Sequence, residues 1–194
     1  MSDAIVILQA RMASRRLPGK ALARLGARSV LAHCLERLRV GAAAPVMLAT
    51  TSNPEDDLLE AEAAGLGVPV FRGSDRDVLG RFVAAAGSVG ARLVVRATAD
   101  NPAVDIDAPS RVLSAIRSSG ADHVSERGLP YGAAVEVDAP PELRRLDLRL
   151  TIDTDQDLQF MRRLFERLGH VAYEPALVAF IAAADALAMG PTPA

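Results

Sequence analysis

The run Ala4-Ile-Val-Ile-Leu-Gln9 is apolar at every position but its last. A strand with one wet face alternates apolar and polar residues, so an unbroken run predicts a strand covered on both faces. Runs of the same kind recur in PVMLAT (Pro45–Thr50), VPVF (Val68–Phe71) and RLVVRAT (Arg92–Thr98). Helical spacing fills the gaps between them. SVLAHCLERLRV puts Val30, Leu31, Cys34, Leu35 and Leu38 on one face behind Ser29 as N-cap. TSNPEDDLLEAEAAGLG carries a capping signal, a proline near the first turn and a closing glycine. Further helices are expected over Val78–Ala86, over Ile106–Ser118 and in DQDLQFMRRLFERL, with HVS, AAVEV and LRLTID as short strand candidates. Such alternation predicts an α/β fold, a Rossmann-like three-layer sandwich around a mostly parallel sheet. Residues 1–172 read as a single domain and 173–194 as a C-terminal helix with a frayed tail.

Sheets of this kind bind ligands where loops leave the carboxyl ends of their strands. The loop after the first run, QARMASRRLPGK (Gln9–Lys20), gathers Arg11, Arg15, Arg16 and Lys20. Lys20 is the single lysine among 22 Lys and Arg residues. A Walker-type phosphate loop needs glycine where Ser14 stands and Ser or Thr where Ala21 follows, and no dinucleotide glycine fingerprint is present. What remains suits a triphosphate: several cations, the Ser14 hydroxyl, backbone N–H groups, and a compact ammonium able to follow moving charge. A solvated basic loop is the plain alternative.

The charge balance limits the partners. A formal net charge of -2 argues against a polyanion-binding surface, so nucleic acid is not expected as a partner. MSDAIVILQAR reads as neither a signal peptide nor a membrane span, and the single cysteine, Cys34, excludes an internal disulfide. A cytoplasmic protein without membrane association is expected.

The Gln9–Lys20 segment closely resembles the signature of the cytidylyltransferases that make CMP-activated sugars. These include CMP-Kdo synthetase, acylneuraminate cytidylyltransferase and, nearest in wording, the spore coat polysaccharide biosynthesis cytidylyltransferases. VPVFRGSDRDVL (Val68–Leu79), VVRATADNP (Val94–Pro102) and RLTIDTDQDL (Arg149–Leu158) resemble the family's later blocks in the same order. The resemblance runs from about Ala4 to Gly169 and implies a nucleotidyltransferase of the nucleotide-diphospho-sugar transferase type. It implies Mg²⁺-dependent transfer of CMP from CTP to a sugar or other small hydroxyl or phosphate acceptor, with release of pyrophosphate. By motif position Arg11 and Lys20 would act on the triphosphate as catalytic cations, supported by Ser14, Arg15 and Arg16. Gln9 and Ala10, with Arg72, Gly73 and Ser74, would lie near the base and ribose, and Asp100 and Asp153 would ligate Mg²⁺. Asp155 would either share that ligand face or only charge the first turn of a helix, while Asp157 reads as a helix-start carboxylate. Tyr131, Gly132 and Glu136 fall where the family places acceptor contacts.

Other residues read more plainly. His33 is expected to pack rather than bind metal, since no second ligand stands at a useful spacing. Arg96, on a predicted strand, would be an expensive buried charge unless it is paired, by Asp100, by a ligand or in a structural salt bridge. The chain departs from the family pattern between Glu142 and Arg149, where Leu143–Leu148 is barely a connector. The loop before Tyr131 also reads as trimmed, the acidic residue expected near Ala134 is missing, and Ser29 stands where proline is usual. The nucleotide half is thus expected intact and the acceptor half reduced, with a different or smaller acceptor or an altered homodimer. Two competing readings stay open. One is a nucleotide-sugar-dependent glycosyltransferase using Asp153-Thr-Asp155 as an Asp-x-Asp motif; the other is a nucleotide-binding relative without turnover.

Overall fold

The computed structural model describes residues 2–41, 43–125, 134–136, 138, 140–143, 145, 147–169 and 176–188. Strand β1 (Ala4–Gln9) is the predicted doubly covered strand: Ile5 and Ile7 face one side, Val6 and Leu8 the other, and all four are buried. The chain then forms a two-residue antiparallel ribbon, β2 (Arg24–Leu25) and β3 (Arg28–Ser29), before helix α1 (Val30–Val40). Ser29 caps α1 as expected, its hydroxyl accepting from the Ala32 N–H at 3.0 Å. Next come β4 (Val46–Thr51), α2 (Asp57–Gly65), β5 (Val70–Gly73), α3 (Val78–Ser88), β6 (Leu93–Thr98) and α4 (Ala108–Ser119). The short strands β7 (His123–Ser125) and β8 (Ala134–Glu136) pair in parallel, and helices α5 (Asp155–Leu168) and α6 (Leu177–Ala188) follow.

The main sheet runs β5-β4-β1-β6 with every pairing parallel. The chain builds outward from β1 through β4 to β5, then returns to lay β6 on the other side of β1. That reversal opens a crevice at the carboxyl ends of β1 and β6. Ile5 and Ile7 pack on Phe82, Ala85 and Ala86 of α3, while Val6 and Leu8 join the larger core made with α1, α5 and α6.

Two expectations need correction. LRLTID forms no strand; its segment docks on the loop after β6 through the Ile152 N–H to the Asp100 carbonyl at 2.7 Å, with the Ile152 side chain fully buried. Its apolar residues serve packing, and one bond does not make a ladder. Arg96 is exposed rather than buried, because α3, the helix on its side, covers β1, β4 and β5 and leaves that face of β6 wet. Its guanidinium lies 5.8 Å from the Phe82 ring centroid and 3.4 Å from Gln9 Oε1, so the expected desolvation cost does not arise.

Helix α1 is buried beyond its apolar stripe, and His33 and Arg37, one turn apart, are buried with it. His33 stacks at 4.4 Å on Phe165 of α5, Arg37 lies 4.5 Å over the Phe180 ring of α6, and the two phenyl rings meet edge-on at 5.4 Å. His33 is a packing residue. Its Nε2–H donates to the Leu25 carbonyl at 2.9 Å, while Nδ1 is buried without a hydrogen-bond partner. A proton added at Nδ1 has nothing to meet. Burial pushes the imidazole below its ordinary 6.5; the Leu25 bond opposes this, and Arg28 and Arg37 add to the lowering. The unfolded chain therefore takes up the proton first as pH falls through about 6.5. Stability is expected to be level above that pH and to decline below it, by at most about 1.4 kcal/mol per unit. Urea midpoints from pH 8 to 5 check this; a His33→Gln variant that keeps the same acid slope would assign the effect elsewhere.

Candidate active site

The crevice between β1 and β6 is a cavity of about 360 Å³, within the range of small-molecule sites. The loop after β1 forms one wall. Gly19 takes φ +72°, a left-handed turn that disfavours any side chain, and it delivers Lys20 into the crevice at the start of a short 3₁₀ turn. The Lys20 ammonium donates to the Ile152 carbonyl at 2.6 Å, to Asp153 Oδ1 at 3.1 Å and to Asp100 Oδ2 at 3.3 Å. Three N–H groups meet three acceptors. A planar guanidinium does not match that tripod, which accounts for a lysine in a chain otherwise written with arginine.

Asp153 is the electrostatic centre. Arg16 lies 2.7 Å from its Oδ1, and Arg149 bonds its Oδ2. Burial alone would raise the Asp153 carboxyl, but Lys20, Arg16 and Arg149 together outweigh it and hold the group below the usual carboxylate range. Asp100 is steadied by the Thr98 hydroxyl at 2.7 Å. Arg11 reaches across to Asp75 at 2.9 Å, joining the loop to the segment after β5.

The cavity lining brings together Gln9, Ala10, Arg11, Ser14, Arg15, Arg16, Lys20, Asp100 and Asp153. It leaves out Arg72, Gly73 and Ser74. Arg72 is spent locally: Nη1 on Asp57 and Glu60, Nη2 on the Asn53 carbonyl and Nε on the Thr51 carbonyl, tying β5 to the start of α2. A Cβ at Gly73 would come within 3.0 Å of Arg81 Cγ, so glycine lets that buried arginine pass and bond the Ser74 carbonyl. Asp155 is exposed at the first position of α5 and does not line the cavity. Asp157 closes a capping box: it accepts from the Asp153 and Thr154 N–H groups at 2.9 and 2.8 Å while Thr154 Oγ1 accepts from its own N–H. Tyr131 and Gly132 lie outside the described residues, and Glu136 ends β8.

Asp100 and Asp153 fit a divalent cation. Both point an oxygen at one ammonium nitrogen, so they already converge on one positive centre. Magnesium is commonly held by one or two carboxylates with phosphate oxygens and water completing its shell. Among the described residues no group of three or more potential metal ligands occurs.

Sequence reasoning passed over Arg149, Asp75, Arg81 and Asp56. Arg149 opens a motif that was recognised for its aspartates, and its signal was its place four residues before Asp153. Asp75 lies in the Val68–Leu79 block, whose resemblance points to Arg72, Gly73 and Ser74 instead, and Arg81 and Asp56 lie outside the resembling blocks.

A switch-point crevice with clustered cations above two converging carboxylates defines an α/β protein of the nucleotide-binding kind. Comparison with known proteins narrows the class. The family model described as "Cytidylyltransferase" matches residues 5–163. The chain belongs to the cytidylyltransferase family and is a nucleotidyltransferase. It is 30% identical to the spore coat polysaccharide biosynthesis protein SpsF of Bacillus subtilis, over 87% of this chain and 89% of that protein. It is 28% identical to the 3-deoxy-manno-octulosonate cytidylyltransferase of Xanthobacter autotrophicus, over 94% of this chain and 76% of that protein. A solved cytidylyltransferase from Leptospira borgpetersenii superposes with a TM-score of 0.80 at 25% identity, covering 94% of this chain and 93% of that one. Among the described residues no helix is long and apolar enough to cross a membrane.

Proposed function

We propose that the chain transfers CMP from CTP to a sugar-type hydroxyl acceptor and releases pyrophosphate, with Mg²⁺ as cofactor. The observation that carries this is the Lys20 ammonium set between Asp100 and Asp153 in a crevice it shares with Arg11, Arg15 and Arg16. The names of the relatives, one in polysaccharide biosynthesis and one for 3-deoxy-manno-octulosonate, support a sugar acceptor.

Attack of a hydroxyl on the α-phosphorus builds negative charge on the phosphoryl oxygens and on the departing pyrophosphate. Arg11, Arg15, Arg16 and Lys20 would bind the triphosphate and take up the leaving charge, with the Ser14 hydroxyl donating to a phosphate oxygen. The Gln9–Ala10 backbone would orient the base. Asp100 and Asp153 would hold Mg²⁺, which supplies Lewis-acid neutralisation of the phosphates. The Asp-x-Asp reading has less support, since Asp155 lies outside the cavity lining.

The test is a melt with CTP, ATP, GTP and UTP, each with and without Mg²⁺, followed by pyrophosphate release on adding sugars and sugar acids. Saturation at about a hundred times Kd stabilises by roughly 2.7 kcal/mol, a rise of about 5–10 °C in a chain of this size. CTP with Mg²⁺ is expected to give that shift. A melt unmoved by any triphosphate would remove the proposal.

A further inference from the structure

Asp56 stands at the N-cap of α2, in the Pro-Glu-Asp turn after β4, where an aspartate ordinarily caps its own helix. It does not do so. Its side chain makes no capping hydrogen bond to α2 and is fully buried. Oδ1 accepts from the Met12 N–H at 2.7 Å, 44 residues away in the phosphate loop. Oδ2 accepts from the Thr51 N–H at 3.1 Å and from the Thr51 hydroxyl, at the end of β4. Burying a carboxylate is costly unless strong hydrogen bonds satisfy it, and among the described residues the donors are one strand end and one loop peptide.

That peptide is the hub of the loop. The Met12 carbonyl accepts from the Ser14 N–H at 2.8 Å and from the Gly19 N–H at 3.0 Å, so the chain from 12 to 19 closes on Met12. Arg11 leaves on one side of the hub and Lys20 on the other. We propose that Asp56 is a positioning residue of the phosphate loop: by fixing the Met12 peptide against β4, it sets the directions in which Arg11 and Lys20 enter the crevice. The inference rests on the triphosphate reading of that crevice. Groups held in place before the ligand arrives lose less freedom on binding, so the effect is on affinity for phosphates.

Amide hydrogen exchange on the wild-type chain tests the geometry without any ligand. The Met12 amide is expected to exchange far more slowly than the Ala13 amide; equal rates would overturn the proposal. Asp56→Asn keeps the shape but turns an N–H₂ toward a donor, and is expected to release the Met12 amide. It is also expected to weaken binding of CTP with Mg²⁺, and of tripolyphosphate, by about ten- to a hundredfold. Thr51→Val removes the hydroxyl contact and spares the Met12 bond, so its affinities are expected within about twofold of wild type. If both variants lose affinity in step with their melting temperatures, Asp56 is merely structural and the proposal fails. If Asp56→Asn does not fold, the exchange rates of the wild type decide. If the wild type binds neither CTP nor tripolyphosphate, the functional reading falls while the exchange result still stands or falls by itself.

Discussion

Lys20→Met is expected to lose about a hundred- to a thousandfold in turnover, and Lys20→Arg nearly as much, although the latter keeps the charge. The reason is the shape of the acceptor set. The Ile152 carbonyl, Asp153 and Asp100 surround one nitrogen at 2.6, 3.1 and 3.3 Å, a pyramidal demand that an ammonium meets and a flat fork does not. The side chain is only 14% exposed, so water does little to screen the mismatch. A second readout separates loss of chemistry from loss of structure. In the wild type the ammonium stands between the two carboxylates, with Arg16 and Arg149 also on Asp153, so Mg²⁺ added without nucleotide is expected to leave the melting temperature unmoved. In Lys20→Met, Asp153 keeps Arg16 and Arg149 while Asp100 keeps the Thr98 hydroxyl, and Mg²⁺ alone is expected to raise it. Turnover of Lys20→Arg near the wild-type rate would show that charge, not shape, is what the position requires.

The lone lysine was legible in the sequence because it broke a compositional habit, and the loop's cations were legible because they followed a strand that could only be central. The partners of Lys20 were legible one at a time, as aspartates after strand-like segments. Their meeting was not. It depends on the Ile152 N–H reaching the Asp100 carbonyl, a single tertiary bond between segments 52 residues apart that no local pattern announces. Asp56 was hidden for the opposite reason: a Pro-Glu-Asp turn before a helix reads as a cap, and only the fold shows the carboxylate turned the other way. Arg72 matched a motif position, yet Asp57 and Glu60 stand within its reach and take it. Arg96 was misjudged as buried because the length of an apolar run does not say which strand ends the covered part of a sheet.

Arg37→Ala is expected to cost about 3–5 kcal/mol, the range for emptying a large buried site and stripping a buried polar network. Arg37 is fully buried, donates from Nε to the Val104 carbonyl at 2.9 Å, and lies over Phe180. Burial pushes its guanidinium down to about 10, with Asp105 and Cys34 pulling it back, so it stays charged at neutral pH. The one side chain thus joins α1, the loop carrying Asp100 to Asp105, and α6. A loss of that size lowers the melting temperature by roughly 6–20 °C in a chain of this length. Arg37→Met restores most of the volume without the charge and is expected to recover part of the loss, leaving about 1–3 kcal/mol for the lost polar contacts, the Val104 carbonyl among them. Urea titrations of the three proteins divide packing from polar contact. Should Arg37→Met match the wild type, the guanidinium contributes only bulk. Should it match Arg37→Ala, the contact with Val104 and the Phe180 ring is what holds α6 and the Asp100 loop to the sheet.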